Sequence, residues 1–134
     1  MSKSESQEMY LKTILLLRLG NQTSRSVDVA NELGYSKASV SRAVSLLKGE
    51  KLIEVVEGGE IVFTNKGKEK ALSVLERYKV LVKILKKLGL DDEEADEEAC
   101  KLEHVIGDEL YAKLKEFSER GDDWCHLLFL ELIA

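Results

Sequence analysis

The strongest constraint on the fold is the order of local patterns in residues 26–64. A short helical pattern that starts near Ser26, a suitable N-cap, is followed by a turn at Gly34 and by a second helical pattern that Ser36 is suited to cap. Two runs rich in β-branched residues, at residues 52–57 and 60–64, then flank a Gly-Gly pair at residues 58–59, which is typical of a short hairpin. Helix, short turn, helix and hairpin is the order of a winged helix-turn-helix. The sequence therefore predicts that fold for the N-terminal part of the chain.

The rest of the chain has the periodicity of helices. Proline is absent from all 134 residues. Asp91 is suited to cap a helix whose first turn is acidic, as the helix dipole favours. Apolar residues spaced by three and four predict further helices over about residues 4–19, 65–89, 91–106, 107–120 and 124–133. The predicted fold class is mostly α.

Composition excludes several other classes of protein. The chain is 44% apolar and 34% charged, which is a globular composition. Its two cysteines, Cys100 and Cys125, exclude a disulfide scaffold and favour a reducing compartment. The first ten residues hold no apolar signal core, and the apolar run at residues 127–134 is too short to cross a membrane. We therefore expect a cytoplasmic protein without a membrane partner.

The net charge of −5 conceals a division along the chain. Residues 1–90 hold 16 Lys and Arg against 10 Asp and Glu, whereas residues 91–134 hold 4 against 15. The two parts thus carry +6 and −11. A basic first part and an acidic second part indicate two separate roles, of which the first is compatible with nucleic acid.

The outer face of the third predicted helix suits contact with DNA. Small hydroxyl and basic side chains cover it, and no acid occurs before Glu50. Arg42 is suited to a guanine edge in the major groove and Lys37 to a phosphate. The alternative is an ordinary solvated helix face, and the acidic hairpin tip at residues 57–60 weakens the case for phosphate contact there. The candidate DNA-contacting residues are Ser26, Ser36, Lys37, Ser39, Ser41 and Arg42.

A second set of residues has the spacing of metal ligands. Cys100, Glu103 and His104 stand at positions i, i+3 and i+4, which places them on one face of a helix. Thiolate, carboxylate and imidazole together suit Fe(II), Co(II), Ni(II), Zn(II) and Mn(II). Met9 offers a thioether as a fourth ligand. The alternatives are a buried cysteine and a hydrogen-bonded His–Glu pair.

Four segments resemble the diphtheria toxin repressor family of metal-responsive transcription regulators. Residues 98–105, EACKLEHV, resemble its metal-site helix, and residues 7–14, QEMYLKTI, resemble its first helix. Residues 64–67 match its Thr-x-x-Gly strand-to-helix junction, and residues 88–90 resemble the end of its long linking helix. The resemblance covers about residues 5–117.

The resemblance implies both a fold and a function. It implies a winged helix-turn-helix at residues 1–70, a helical dimerisation and metal-binding domain at residues 71–134, and no SH3-like third domain. It also implies a homodimer that binds a pseudo-palindromic double-stranded operator and represses metal homeostasis genes when a divalent transition metal is bound. The ion is expected to be Fe(II) or Mn(II), with Zn(II), Co(II) or Ni(II) as alternatives. The family's metal positions fall on Met9, Cys100, Glu103 and His104.

Three positions depart from the family pattern. Tyr78 stands where the family's second ion site uses a histidine, Val82 replaces an acid one turn later, and Asp96 replaces a frequent histidine. The departures predict one ion per subunit rather than two.

Other functions fit the sequence less well. No Gly-rich phosphate loop, serine nucleophile elbow or H-E-x-x-H motif is present, and a Cys100–His104 nucleophile pair lacks an evident oxyanion hole. We therefore expect neither an enzyme nor a small organic substrate. Two alternatives stay open: a DNA-binding protein that responds to thiol oxidation at Cys100, and a dimeric adaptor that does not bind DNA. Cys125 and His126 are candidates for a second metal or redox site, or for simple packing.

Overall fold

The computed structural model describes residues 2–120. The predicted last helix, with Cys125 and His126, lies outside the described residues. The elements in chain order are α1 (Lys3–Leu19), α2 (Ser26–Leu33), α3 (Lys37–Gly49), β1 (Ile53–Val55), β2 (Ile61–Phe63), α4 (Asn65–Lys87), α5 (Asp92–Leu102) and α6 (Asp108–Glu119). The chain divides into two compact units, the first ending at Leu75 and the second beginning at Glu76. The prediction of a mostly helical fold with an N-terminal winged helix-turn-helix is confirmed.

The first unit is built around the apolar faces of its three helices. Leu11 and Ile14 of α1, Val29 of α2, and Val40 and Leu47 of α3 are almost completely buried. Their removal from water is the main source of stability for a domain of this size. A side-chain hydrogen bond also joins α1 to the C-terminal end of α3: the Gln7 amide donates to the Glu50 carboxylate at 2.7 Å.

The hairpin is shorter than predicted. Ile53 pairs with Phe63 and Val55 with Ile61 in antiparallel register, and a single 3-10 turn at Glu57–Gly59 joins the two strands. Gly58 and Gly59 have φ of +85° and +83°, a region that glycine enters without strain. The predicted glycine turn is therefore confirmed, although regular pairing ends two residues earlier than expected on the first strand.

A close backbone approach fixes the start of α4. The Thr64 hydroxyl accepts a hydrogen bond from Gly67 N at 3.1 Å and donates to the Lys51 carbonyl at 2.7 Å. A Cβ on Gly67 would stand 1.8 Å from the Leu52 carbonyl oxygen. The Thr-x-x-Gly sequence is thus explained: threonine caps the helix, and glycine lets the helix touch the segment that enters β1.

In the second unit, α4 and α6 are joined by charged side chains. Glu76 pairs with Lys115, and Arg77 pairs with Asp108. The Arg77 guanidinium also lies 4.6 Å from the centre of the Tyr111 ring.

Asp91 caps α5 as predicted, since its carboxylate accepts from Glu94 N at 2.8 Å. Within residues 2–120, no helix has both the length and the apolar character that crossing a membrane requires.

Two predicted helix ends are wrong. The N-cap of α2 is Arg25 rather than Ser26, because the Asp28 carboxylate accepts from Arg25 N at 2.9 Å and so supplies the cap from inside the helix. The helix α5 ends at Leu102 rather than near Ile106. There the chain tightens into a turn in which Val105 N donates to the Leu102 carbonyl.

Candidate DNA-reading surface and metal centre

The outer face of α3 is open to solvent, as a DNA-reading helix requires. Val40, Val44 and Leu47 point into the core, which turns the hydroxyl and basic side chains outward. Ser36, Lys37, Ser41 and Arg42 are exposed, and Ser39 and Ser26 are half-buried. Because α3 begins at Lys37, the positive end of the helix dipole lies beside Ser36 and Lys37.

Two of the predicted DNA-contacting hydroxyls also hold α3 in place. The Ser36 side chain accepts from Ser39 N at 3.1 Å, and the two hydroxyls lie 2.9 Å apart in a hydrogen bond donated by Ser36. Ser36 is therefore the N-cap, as predicted. Its hydroxyl retains one further lone pair, so capping does not prevent it from accepting an additional donor.

One acid of the wing is turned back toward the protein. The Glu60 carboxylate accepts from the Ser24 hydroxyl at 2.7 Å and from Ser24 N at 3.0 Å. These bonds, with Arg18 and Arg25 nearby, hold the pKa of Glu60 below its usual range. Of the two acids at the tip, Glu57 is therefore exposed to solvent, whereas Glu60 is bonded to Ser24 just before α2.

Ser24 is a structural residue that sequence reasoning missed. It is fully buried, and its hydroxyl lies between two acceptors, the Glu60 carboxylate at 2.7 Å and the Ile61 carbonyl at 2.9 Å. Its own carbonyl accepts from Ile61 N at 3.0 Å. Arg18 of α1 donates to the Ile61 carbonyl at 3.0 Å. The wing is therefore joined to both α1 and the start of α2. Such pairing between distant segments leaves no periodic signal in the sequence.

Two of the predicted metal ligands lie together at the end of α5. Glu103 is 2% exposed, and its Oε1 lies 3.0 Å from Nε2 of the largely buried His104. Arg77 of α4 holds the following turn, since it donates to the Ile106 carbonyl at 3.0 Å. Sequence reasoning did not single out Arg77, and no local pattern links it to this turn.

Cys100 lies beside the residues that depart from the family pattern. Its Sγ is 4.0 Å from Oδ1 of Asp96, one turn earlier on α5. The Tyr78 hydroxyl of α4 donates to the same Asp96 oxygen. Burial, and then the Asp96 carboxylate, raise the pKa of Tyr78, so the phenol stays protonated as a donor. A phenol–carboxylate pair thus joins two of the positions at which the sequence departs from the family pattern.

Met9, the fourth predicted ligand, lies in the first unit. It is half-buried on α1, and its Sδ accepts a hydrogen bond from the Tyr35 hydroxyl at 3.6 Å. Thr13, one turn later, donates to the Met9 carbonyl at 2.9 Å.

The donor types fit a transition metal, whereas the side chains are not gathered around one point. Thiol, buried carboxylate and imidazole all occur within five residues, and such a set suits Fe(II) to Zn(II). Among residues 2–120, however, no three His, Cys, Asp or Glu side chains are close enough together to hold an ion. His104 contacts Glu103, and Cys100 faces Asp96.

Known proteins share this arrangement of domains. A family model of the iron-dependent repressor N-terminal DNA-binding domain matches residues 3–59, and one of the iron-dependent repressor metal-binding and dimerisation domain matches residues 64–126. An uncharacterized HTH-type transcriptional regulator of Methanocaldococcus jannaschii is 33% identical over 122 residues, covering 90% of this chain and 98% of that protein.

Longer repressors match as well. The iron-dependent repressor IdeR of Mycobacterium leprae is 31% identical over 111 residues, which is 82% of this chain and 48% of that protein. The solved structure of the manganese regulator SloR superposes with a TM-score of 0.73 at 28% identity, covering 83% of this chain and 52% of that one. The chain thus spans about half the length of these two proteins. By its sequence and its fold, the chain belongs to the iron-dependent repressor family.

Proposed function

We propose that this chain is a metal-responsive, DNA-binding transcription regulator of metal homeostasis genes that acts as a homodimer. The supporting observation is the exposed, acid-free outer face of α3 in a winged helix-turn-helix, followed in the same chain by a match to a metal-binding and dimerisation domain. We propose residues 1–70 as the DNA-binding part and residues 71–134 as the dimerisation and metal-binding part. The role is regulation rather than catalysis, and its place is the cytoplasm.

The contact with DNA divides between phosphates and bases. Lys37 and the positive end of the α3 dipole suit phosphate oxygens. Arg42, five residues further along α3 and also exposed, suits a guanine edge. The hydroxyls of Ser39 and Ser41 are short enough to let the helix approach the groove closely, and Ser26 adds a hydroxyl at the start of α2. In a two-fold dimer each of these contacts occurs once per half-site.

The proposed ligands of one divalent ion per subunit are Met9, Cys100, Glu103 and His104. Fe(II) and Mn(II) are the favoured ions. The ion, when bound, supplies a positive centre that holds thiolate, carboxylate, imidazole and thioether in one arrangement. His104 would then give up its present contact with Glu103, and Cys100 would turn from Asp96. The Tyr78–Asp96 pair supports a single ion, because each group already satisfies the other.

The test is DNA binding by the reduced protein without oxygen. We would measure its affinity for selected and random duplexes at fixed salt, with chelator and with each of Mn(II), Fe(II), Co(II), Ni(II) and Zn(II). We expect one or two ions to tighten binding selectively, and His104→Ala to abolish that response while the protein still folds in chelator. Lys101→Ala, on the exposed side of α5, is the matched control.

Other results would contradict parts of the proposal. Sequence-specific binding that ignores every metal but responds to oxidant would favour thiol chemistry at Cys100. Absence of salt-dependent duplex binding under all conditions would favour the adaptor. A metal response that survives His104→Ala would overturn the ligand assignment while leaving the regulator.

A further inference from the structure

Tyr35 links the proposed metal ligand Met9 to the turn of the helix-turn-helix. The residue lies between α2 and α3, directly after Gly34, whose φ of +69° reverses the chain. Tyr35 N donates to the Ala30 carbonyl at 3.1 Å, which fixes the turn to α2. From this position its hydroxyl reaches across to Sδ of Met9 at 3.6 Å.

The Tyr35 ring has a second contact with α1. It packs edge to face against Tyr10, with ring centres 6.2 Å apart and an angle of 70° between the planes. Tyr10 is 6% exposed and therefore fixed in the core, whereas Tyr35 keeps 43% of its surface in solvent. The ring is thus anchored by packing, and its hydroxyl adds a separate polar contact to the neighbouring residue of α1.

The next residue after Tyr35 is the cap of α3. Ser36 begins that helix through its hydrogen bond from Ser39 N. Two contacts are therefore made by neighbouring residues: the Tyr35 hydroxyl bonds to the Met9 thioether, and the Ser36 hydroxyl accepts from the first turn of α3. Any displacement of the thioether removes the first of these contacts.

We propose that Tyr35 is a positioning residue for metal sensing: its phenol holds the Met9 thioether in the absence of an ion and so competes with a metal for that ligand. The inference rests on the proposed function, in which Met9 is a ligand. The Tyr35 hydroxyl competes with the ion for Met9, and its removal therefore tightens metal binding. The effect belongs to this pair of residues and vanishes when the thioether is absent.

The test is a double-mutant cycle with Co(II) as the probe. Co(II) affinity is measured anaerobically and without DNA, from the thiolate-to-cobalt charge-transfer absorption, for wild type, Tyr35→Phe, Met9→Leu and the double variant. Tyr35→Phe keeps the ring against Tyr10 and deletes only the hydroxyl. Tyr10→Phe is the matched control, because it deletes a phenol from the same ring pair but not the one bonded to Met9. Unfolding midpoints in chelator show whether each variant folds normally.

The expected result is specific to one pair. Tyr35→Phe should tighten Co(II) by about two- to tenfold, the range for losing one competing neutral hydrogen bond. In the Met9→Leu background the same change should have no effect, and Tyr10→Phe should leave Co(II) affinity unchanged.

Two kinds of failure are distinguishable. If Met9→Leu weakens Co(II) but Tyr35→Phe changes nothing, or changes the affinity equally in both backgrounds, the inference is wrong and the metal site stands. If wild type and Met9→Leu bind Co(II) equally, or neither binds, the assignment of Met9 as a ligand is wrong and the inference falls with it.

Discussion

Gly67 is the residue at which the smallest chemical change should have the largest structural effect. A methyl group there would stand 1.8 Å from the Leu52 carbonyl oxygen, and both partners are backbone. We predict that Gly67→Ala lowers the free energy of unfolding by roughly 3 kcal/mol, as overpacking against rigid neighbours does. Gly49→Ala is the control, since nothing lies within 4 Å of that position. Urea unfolding measures both, and equal small effects would contradict the close approach.

The stabilising effect of Glu60 should depend on pH. Its pKa is lowered in the folded protein by the Ser24 hydrogen bonds, so its stabilising effect is present above the usual carboxyl range and is lost as pH falls through the lowered pKa. Glu60→Gln should therefore lower the urea midpoint at neutral pH and differ less from wild type in acid. The exposed Glu57→Gln on the same turn is the control. A Glu60→Gln deficit that persists unchanged in acid would show that its charge is not the cause.

At the scale of elements, two substitutions of Ser36 distinguish the stability of α3 from its contact with DNA. Ser36→Ala removes the cap and should lower the free energy of unfolding by about 1 kcal/mol. Ser36→Asp keeps a capping oxygen but adds a negative charge beside the proposed phosphate contacts. We predict near-normal stability and a loss of DNA affinity of tenfold or more for Ser36→Asp, measured at fixed salt. Normal DNA affinity in Ser36→Asp would remove the start of α3 from the interface.

The elements themselves were largely predictable, because each has a local cause. Apolar spacing and caps such as Asp91 and Ser36 act within a few residues, and those predictions are confirmed. The early end of α5 at Leu102 was not predictable, since Arg77 of another helix holds the turn that follows. The pairing of Ser24 with the wing was missed for the same reason. For the metal site, the sequence indicates donor types, and how the donors come together stays a prediction.

At the scale of the whole molecule, metal and DNA are linked if both bind the same arrangement of the dimer. Whatever factor the metal adds to operator affinity, operator DNA must add to metal affinity. We predict equal factors, measured by titrating Co(II) with and without an operator duplex, and the operator with and without Co(II). A duplex of unrelated sequence at the same salt is the control. Unequal factors would mean that the two titrations do not report the same two states.

The helix α4 contributes residues to both compact units, because it runs unbroken from Asn65 to Lys87 while the first unit ends at Leu75. A continuous α-helix turns by 100° and advances about 1.5 Å with each residue. One residue inserted inside α4 would therefore turn every later side chain of that helix by more than a quarter turn, and the apolar positions beyond the insertion would no longer continue the same stripe. A change of length inside α4 should accordingly disturb the packing of the helix itself, whereas a change made in a loop should not.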